Sequence, residues 1–412
     1  MPETRTLANV LVSLRMKICD VTQFYSEVGG GVKRYLQEKR RWVQDNGVDE
    51  HVLVIPGAET RVKKEGRLTL CTVRSPKLDR TSRYRLLLNL PVAEEMILRE
   101  RPDIIEAGDP YHLGWRTIHV ADRLGVPAVG FYHSHFPEAY LRTVLKFCGS
   151  WVRDVVLAYS EDYIRNLYNH FDRSLVPSQF LVKVLRSWGV MNTERVRLGV
   201  DLTSFYPGPA DPGVRAELNI RAEARLLLYV GRLSGDKNTR TLLDAWRLVA
   251  QRDSSMAFLI VGDGNLRDLV EGALHDMPSL RWIRHCADSK RLGELYRAAD
   301  LFVHPGVCET FGLVTMEAQA CGCPVVGIRG SYMDANVMAG LDLWAEENTP
   351  EALARAIDRF LKADLAELGR QASETVRASF GWNQVLGDIR RIYQEVIDEK
   401  KARDRSGGML HG

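Results

Sequence analysis

The sequence lacks long apolar runs, a cysteine framework and a marked excess of either charge. Among its 412 residues no apolar run approaches about 18, so we expect no transmembrane helix. Its seven cysteines are odd in number and scattered, which argues against disulfides and indicates a reducing compartment. The formal net charge of +3 gives no sign of a nucleic-acid partner. These absences indicate a cytoplasmic globular protein.

A metal-binding signature is also missing. Cys321 and Cys323 are spaced as C-x-C, but no second Cys/His pair lies nearby in the sequence. Structural zinc sites use four such ligands, so we predict that these cysteines are small buried residues at a helix end. His133 and His135 form a similar pair without a suitably spaced Cys or carboxylate partner. We therefore expect no metal site and no bound cofactor.

Short apolar segments alternate with amphipathic segments along the chain, as in parallel α/β proteins. The predicted strands are 16–21, 51–55, 103–108, 127–133, 155–160, 225–231, 256–264, 280–285, 300–306 and 323–328. The predicted helices include 29–46, 113–124, 239–250, 289–298 and 382–402. This alternation predicts an α/β fold with two Rossmann-like, doubly wound domains that face a cleft.

A segment rich in glycine and proline, 197–213, separates the two halves of this pattern and is the expected linker. The last strongly amphipathic helix is expected to cross back to the first domain. The expected divisions are a disordered N-terminal extension, 1–15; a first Rossmann-like domain, 16–200; a second, 201–381; the returning helix, 382–402; and a disordered tail, 403–412.

The segment GRLSGDKN, 231–238, follows a predicted strand and precedes a predicted helix. It places two fixed cations, Arg232 and Lys237, just beyond the end of that strand. Arginine can bind two phosphate oxygens at once and lysine adds a point charge, so the pair suits a diphosphate. A pair of solvated loop charges is the alternative interpretation of this segment taken alone.

The segment VCETFGLVTMEA, 307–318, carries two carboxylates, Glu309 and Glu317. In one continuous helix they would lie about 12 Å apart along the axis, too far for an acid/base dyad. We instead predict that Glu309 lies in a loop and that a helix runs from about 311–312 to Gly322. Ionised carboxylates are poor phosphate ligands but good acceptors from hydroxyl groups. We therefore interpret the two glutamates as clamps on a sugar and on a ribose.

Together these segments resemble the signature of the retaining family-four glycosyltransferases of the GT-B fold. The similarity rests on Glu309-x7-Glu317 within GLVTMEAQACGCPVV, on GRLSGDKN, and on VGDG, RLGVDLTSFYPG and GGGVKRYL in the matching order. It extends over about residues 16–400, and the motifs are specific only when they are taken jointly. It implies a first domain that binds the acceptor and a second that binds a nucleotide sugar.

The resemblance implies roles for residues of both domains. Arg232 and Lys237 would hold the donor diphosphate and stabilise charge on the leaving group, while amides at the helix start would assist. Glu309 would bind the transferred sugar and Glu317 the ribose. The implied donor-binding residues are Gly30, Gly31, Arg232, Lys237, Glu309, Phe311, Gly312, Leu313, Val314 and Glu317.

Three residues of the first domain are expected on the acceptor side. His133, in GFYHSHFPEAY, matches the position of a family histidine near the reacting sugar, and His135 would face the acceptor. Asp109 ends a predicted strand and either contacts the acceptor or caps a helix. The implied catalytic residues are His133, Arg232, Lys237 and Glu309.

The resemblance implies a retaining transferase that moves a hexose from a nucleoside-diphosphate sugar to a hydroxyl acceptor. In same-face attack the leaving phosphate takes the acceptor proton, and no Asp-x-Asp motif indicates a divalent metal. A UDP-hexose is expected in preference to GDP-mannose, while a lipid, a glycan intermediate and a sugar phosphate stay open as acceptors. The alternatives are a nucleotide-sugar epimerase or hydrolase of the same fold and a non-catalytic nucleotide-sugar sensor.

Two segments of the first domain combine apolar, aromatic and basic residues. The segment 140–156 contains Trp151 beside Arg142, Lys146 and Arg153, and 80–90 has a similar composition. Such a helix can lie on an anionic membrane, and the first 200 residues are net basic while the remainder is net acidic. We expect a peripheral contact with the inner face of the cell membrane; the alternative is a core-packed helix with a basic edge.

Overall fold

The computed structural model describes residues 15–26, 30–77, 84–133, 150–309, 311–331 and 333–408. The chain divides into two compact units, one of Met1–Arg197 with Val385–Gly412 and the other of Leu198–Gln384. Both units are built from parallel strands that alternate with helices, so the predicted α/β fold with two Rossmann-like domains is observed. The predicted cleft between the domains stays a prediction. In the described part of the chain, no helix has the length and apolar character needed to cross a bilayer.

The strands of the first unit are β1 (Lys17–Val21), β2 (Phe24–Ser26), β3 (Glu50–Gly57), β4 (Arg61–Glu65), β5 (Leu68–Arg74), β6 (Tyr84–Leu86), β7 (Ile104–Ala107), β8 (Ala128–Phe131), β9 (Arg173–Val176) and β10 (Thr193–Arg195). Within the described residues, an eight-stranded sheet has the order β10-β9-β8-β7-β1-β3-β5-β4, and β2 pairs with β6. The neighbours in the large sheet are parallel except for β4, which runs antiparallel to β5. Because β1 lies between β3 and β7, the chain winds outwards from it in both directions.

The helices of the first unit are amphipathic and cover this sheet. The first of them buries Tyr35, Leu36, Lys39 and Val43, which recur at helical spacing, and it ends at a left-handed glycine, Gly47. The helices between strands are α1 (Gly31–Asn46), α2 (Leu90–Glu100), α3 (His112–Leu124), α4 (Ser150–His170) and α5 (Gln179–Ser187).

The second unit has a five-stranded parallel sheet among its described residues. Its strands are β11 (Leu226–Val230), β12 (Ala257–Val261), β13 (Leu280–Ile283), β14 (Leu301–His304) and β15 (Val325–Gly327), in the order β13-β12-β11-β14-β15. Every residue of β11, β12 and β14 is buried, which explains why these segments are apolar on both faces. The helices are α6 (Pro212–Glu217), α7 (Thr239–Arg252), α8 (Arg267–Asp276), α9 (Ser289–Ala298), α10 (Leu313–Ala320), α11 (Pro350–Lys362) and α12 (Leu365–Ser379).

The last helix, α13 (Trp382–Gly408), is longer than predicted. From Val385 onwards it belongs to the first unit. Residues 403–408 are therefore helical rather than a disordered tail, and Arg403 in this stretch forms an ion pair with Asp172. Of the predicted N-terminal extension, 1–15, only Arg15 lies within the described residues.

One strand prediction is wrong. The apolar run 155–160 lies inside the helix α4, because it is a short part of a 21-residue helical segment. The strand beside β8 is instead β9, a four-residue segment, RSLV, that the apolar pattern did not reveal. Short apolar runs fit either structure, and only the length of the whole segment separates the two.

Candidate active site

The two motif-bearing loops of the second unit follow neighbouring strands. β11 pairs in parallel with β14, with Leu228 opposite Phe302. Because parallel strands end at the same edge of a sheet, the loops that begin at residues 231 and 305 emerge side by side. This carboxyl edge is where doubly wound sheets bind their ligands.

Both cations of the first loop are held by carboxylates. Arg232 donates from Nη2 to Asp236 Oδ2 at 3.0 Å, and Lys237 forms an ion pair with Glu309. The Arg232 side chain is 61% exposed, whereas Lys237 and Glu309 are each 20% exposed. The structure therefore brings together three of the predicted site residues, with Lys237 the more enclosed of the two cations.

The surroundings of Glu309 keep its carboxyl group ionised. Burial by itself would raise the pKa of this group, but the Lys237 ammonium, through its charge and its hydrogen bond, lowers it below its ordinary value. His304 Nε2 lies 3.7 Å from Glu309 Oε2. Burial lowers the pKa of His304 to about 4 although Glu309 opposes the shift, so the imidazole is neutral near pH 7. The Glu309 carboxylate can therefore accept hydrogen bonds from hydroxyl groups.

The helix α10 begins directly after Gly312, as the sequence predicts. Gly312 has a φ of 78°, and a Cβ there would lie 2.8 Å from Thr315 Oγ1 and 2.9 Å from Met333 Sδ. Glycine alone fits both this left-handed backbone and this space. The amides of Leu313 and Val314 lie in the first turn, where the helix dipole favours an anion.

The predicted ribose clamp, Glu317, lies inside α10. Its side chain is buried, with 2% exposed, and its Oε2 accepts a hydrogen bond from Tyr296 Oη at 3.2 Å. The carboxylate is thus a deep group of this helix rather than a surface charge. Its role towards a ribose stays a prediction.

The first unit holds the predicted donor-binding glycines, Gly30 and Gly31, and the predicted acceptor-side residues. Gly30 has a φ of 119° and precedes α1, which begins at Gly31, so this turn needs the freedom of glycine. The His133 ring stacks on Phe131 with centroids 3.9 Å apart. Burial, and then the nearby Lys39 ammonium, lower the pKa of His133 to about 3. The imidazole is therefore neutral and can exchange hydrogen bonds with sugar hydroxyls; His135 lies outside the described residues.

Asp109 has a defined structural partner. Its Oδ2 accepts hydrogen bonds from the Thr22 hydroxyl and from the backbone amides of Gln23 and Phe24, the latter two at 2.6 and 3.4 Å. The carboxylate therefore holds the loop that follows β1. It does not cap α3, which starts after Tyr111 without a side-chain cap, so the helix-cap alternative is wrong. Contact with an acceptor stays a prediction.

Three residues that shape the candidate site were missed by the sequence analysis. Asn336 Nδ2 donates to the Phe311 carbonyl at 2.9 Å, and Asn238 Nδ2 donates to the Pro305 carbonyl at 2.8 Å. The third is His304, which ends β14 under Glu309. His304 could have been found from the sequence, because it is a polar residue at the end of an otherwise apolar predicted strand. Side-chain bonds to backbone carbonyls leave no sequence pattern, so the two asparagines had none.

The cysteines and potential metal ligands add no further site. Cys321 and Cys323 are both buried just after α10, and burial raises the pKa of Cys321 to about 12. Across the described ranges, no group of three or more His, Cys, Asp or Glu side chains is arranged to hold a metal ion.

Comparison with known protein families identifies the family to which this chain belongs. A model described as glycosyltransferase family 4 matches residues 29–204, and one described as glycosyl transferases group 1 matches residues 212–378. The two matches lie in order and together extend over most of the chain. The protein belongs to the family-four glycosyltransferases, which have the GT-B fold.

Individual relatives agree with this assignment. The chain is 28% identical over 324 residues to a GDP-mannose-dependent alpha-mannosyltransferase of Corynebacterium glutamicum, covering 76% of this chain and 72% of that one. It is 27% identical over 350 residues to a GDP-mannose-dependent alpha-(1-6)-phosphatidylinositol dimannoside mannosyltransferase of Mycobacterium tuberculosis, covering 83% and 87%. Sucrose-phosphate synthase from Thermosynechococcus elongatus has a similar structure, with a TM-score of 0.75, 22% identity, and 93% and 100% of the two chains covered. At that identity the structural match supports the fold alone.

Proposed function

We propose that this glycosyltransferase is a retaining hexosyltransferase that uses a nucleoside-diphosphate sugar and a hydroxyl acceptor. The observation that carries the proposal is the pairing of Lys237 with Glu309 across two adjacent loops at the carboxyl edge of the second sheet. A cation for a diphosphate and an anion for sugar hydroxyls thus stand side by side. A sugar diphosphate presents partners for both groups close together, because its hexose is bonded directly to the phosphate.

The chemistry is electrostatic. Arg232 and Lys237, with the amides at the start of α10, would stabilise the negative charge that develops on the leaving diphosphate. Glu309 would orient the hexose through its hydroxyl groups. The acceptor hydroxyl would attack from the face that the phosphate leaves, and the phosphate oxygen would take its proton. We propose that these protein cations suffice and that no divalent ion is needed.

Two nucleotides, UDP and GDP, are considered for the sugar donor. The sequence favours a UDP-hexose, and that preference stays a prediction. Two relatives that span most of this chain are named for GDP-mannose. We therefore rank GDP-mannose first among the donors to be tested.

For the acceptor we propose a hydroxyl group on a membrane lipid, reached from the cytoplasmic face. The Mycobacterium tuberculosis relative is named for a phosphatidylinositol glycolipid. In the described part of α4, Trp151, Val155 and Tyr159 are 76%, 49% and 74% exposed, and their spacing places them on one side of the helix. These residues would form the membrane contact. The rest of the predicted segment 140–156 lies largely outside the described residues.

The test is a transfer assay with EDTA present, across GDP-mannose, UDP-glucose, UDP-galactose, UDP-N-acetylglucosamine and UDP-glucuronate, with bacterial lipid extract as acceptor. We expect one donor to give a product with the donor's own anomeric configuration. Lys237→Met and Glu309→Gln should each reduce the rate by about 100-fold or more. Lys290→Met, an exposed lysine on α9, is the matched control and should leave the rate unchanged.

Three results would contradict parts of the proposal. An inverted product would rule out the retaining mechanism. Activity that requires added Mg²⁺ or Mn²⁺ would rule out metal independence. Wild-type rates in both Lys237→Met and Glu309→Gln would show that the site has been placed wrongly.

A further inference from the structure

Asn238 joins three segments of the second unit through one side chain. Its Nδ2 donates to the Pro305 carbonyl at 2.8 Å and to Asn348 Oδ1 at 3.1 Å. Pro305 follows β14, and Asn348 lies just before α11. Asn238 itself ends the loop after β11 in a left-handed conformation with a φ of 51°. Glycine would supply this backbone equally well, but only the carboxamide supplies the two hydrogen bonds.

The loops that Asn238 connects are in close contact. A Cβ on Gly306 would lie 2.9 Å from His304 Cε1 and 3.8 Å from Lys237 Cα. The residue beside Asn238, Lys237, forms the ion pair with Glu309 on the second loop. The Asn238 bond to Pro305 therefore fixes the backbone from which Lys237 extends against the backbone that carries Glu309.

We propose that Asn238 is a positioning residue for diphosphate binding, which sets the Lys237 ammonium at the distance from Glu309 that a sugar diphosphate needs. The proposal rests on the proposed function, because it assigns Lys237 to the diphosphate. Without the carboxamide, the two loops would lose the hydrogen bond that joins them beside the flexible Lys237–Glu309 pair. A ligand would then have to order them on binding, at a cost in affinity.

The test measures GDP and UDP binding by titration calorimetry and stability by thermal unfolding. Asn238→Gly keeps the left-handed backbone and removes both hydrogen bonds. We expect it to weaken binding of the preferred diphosphate about 10-fold while leaving the circular dichroism spectrum unchanged. The matched control is Asn219→Gly. Asn219 also has a φ of 51°, and among the described residues its side chain makes no hydrogen bond, so its affinity should match the wild type.

A double-variant cycle separates positioning from a merely structural role. If Asn238 acts through Lys237, then Asn238→Gly should weaken binding much less in a Lys237→Met background than in the wild type. Equal losses in both backgrounds would overturn the proposal, and so would wild-type affinity in Asn238→Gly. If the wild type binds neither diphosphate, the proposed function itself fails, and the inference fails with it. If the wild type binds a diphosphate and Asn238→Gly binds it equally well, the role of Asn238 is contradicted while the proposed function stands.

Discussion

Each unit of this protein has a lysine paired with carboxylates, and the two clusters differ in their surroundings. The interior cluster of the first unit consists of Asp20, Tyr35, Lys39, His51, Glu106 and Tyr393, all of them buried. The loop cluster of the second unit consists of Arg232, Asp236, Lys237, His304 and Glu309, most of which reach the surface of the carboxyl edge.

In the interior cluster, the lysine ammonium group has three oxygen atoms within hydrogen-bonding or ion-pair distance. Lys39 Nζ lies 2.7 Å from Asp20 Oδ1, 2.6 Å from Tyr393 Oη and 3.3 Å from Glu106 Oε2. The other oxygen of Asp20 lies 2.6 Å from His51 Nε2. These bonds connect α1, β1, β3 and β7 with the returning helix α13. The cluster therefore serves the fold of the first unit.

The loop cluster is less completely bonded. Within the described residues, His304 Nδ1 is buried and has no hydrogen-bond partner. Arg232 contacts Asp236 through an exposed ion pair, which water and salt weaken. Groups that are partly hydrated and partly unpaired can exchange partners for a ligand at low cost. The same ion-pair chemistry thus holds a fold in one unit and lies partly exposed at a sheet edge in the other, as the proposed binding site requires.

The largest expected effect follows from removing the buried lysine. Lys39→Met leaves the ionised Asp20 carboxylate buried without its cation, so we expect the free energy of unfolding to fall by about 3–5 kcal/mol. Lys237→Met, which breaks a partly exposed pair, should cost about 1 kcal/mol or less. Chemical denaturation of both variants measures the difference. Equal losses would show that the two clusters do not differ in the way proposed.

The interior cluster should also give stability a specific pH dependence. Burial raises the pKa of Glu106 from its ordinary 4.5 to about 7, even though Lys39 opposes the shift. The folded chain therefore binds this proton more tightly than the unfolded chain. Its contribution to stability is fully present below about pH 4.5 and is lost as the pH rises through about 7, amounting to roughly 3 kcal/mol.

Comparison with Glu106→Gln isolates this contribution. Burial lowers the pKa of His51, so the histidine contributes an opposite slope below pH 6.5 that would partly mask Glu106 in the wild type alone. The difference in unfolding free energy between wild type and Glu106→Gln cancels the histidine. That difference should change by about 2–3 kcal/mol between pH 4.5 and 7.5, in favour of the variant at high pH. A difference independent of pH would show that Glu106 titrates normally.

The contrast between the clusters also shows what the sequence could predict. The strands of the second unit, and the positions of Arg232, Lys237 and Glu309 beyond the strand ends, were predictable, because apolar runs and short motifs are local patterns. The bond from Asn238 to Pro305 joins residues 67 positions apart, and no local pattern encodes such a contact.

The interior cluster was not predicted for the same reason. Lys39 stands in the charged run QEKRRW, which is typical of a solvated helix face. Its burial depends on Asp20 and Glu106 in two strands and on Tyr393 near the end of the chain. A buried ion network needs all its members in place at once, and each of them alone resembles an ordinary surface or strand residue.

The smallest expected effect comes from Asp236, whose negative charge lies beside the two cations proposed to bind the diphosphate. The charges of Arg232 and Lys237 oppose the effect of burial, and the pKa of Asp236 lies below its ordinary value, so this residue is negative at pH 7. Its charge opposes a diphosphate bound by the same cations. Asp236→Asn should therefore tighten GDP or UDP binding about two- to threefold at low salt and change stability by less than about 0.5 kcal/mol.

The control is Asp244→Asn on α7, which breaks a similarly exposed contact to Arg247 at 2.8 Å. It should leave the affinity unchanged, and the gain in Asp236→Asn should shrink as salt is raised towards 0.5 M because the interaction is screened. Weaker binding in Asp236→Asn would mean that the carboxylate orients Arg232 for the ligand rather than competing with it. The loop cluster would then be as fully preorganised as the interior one, and the distinction between them would rest on burial alone.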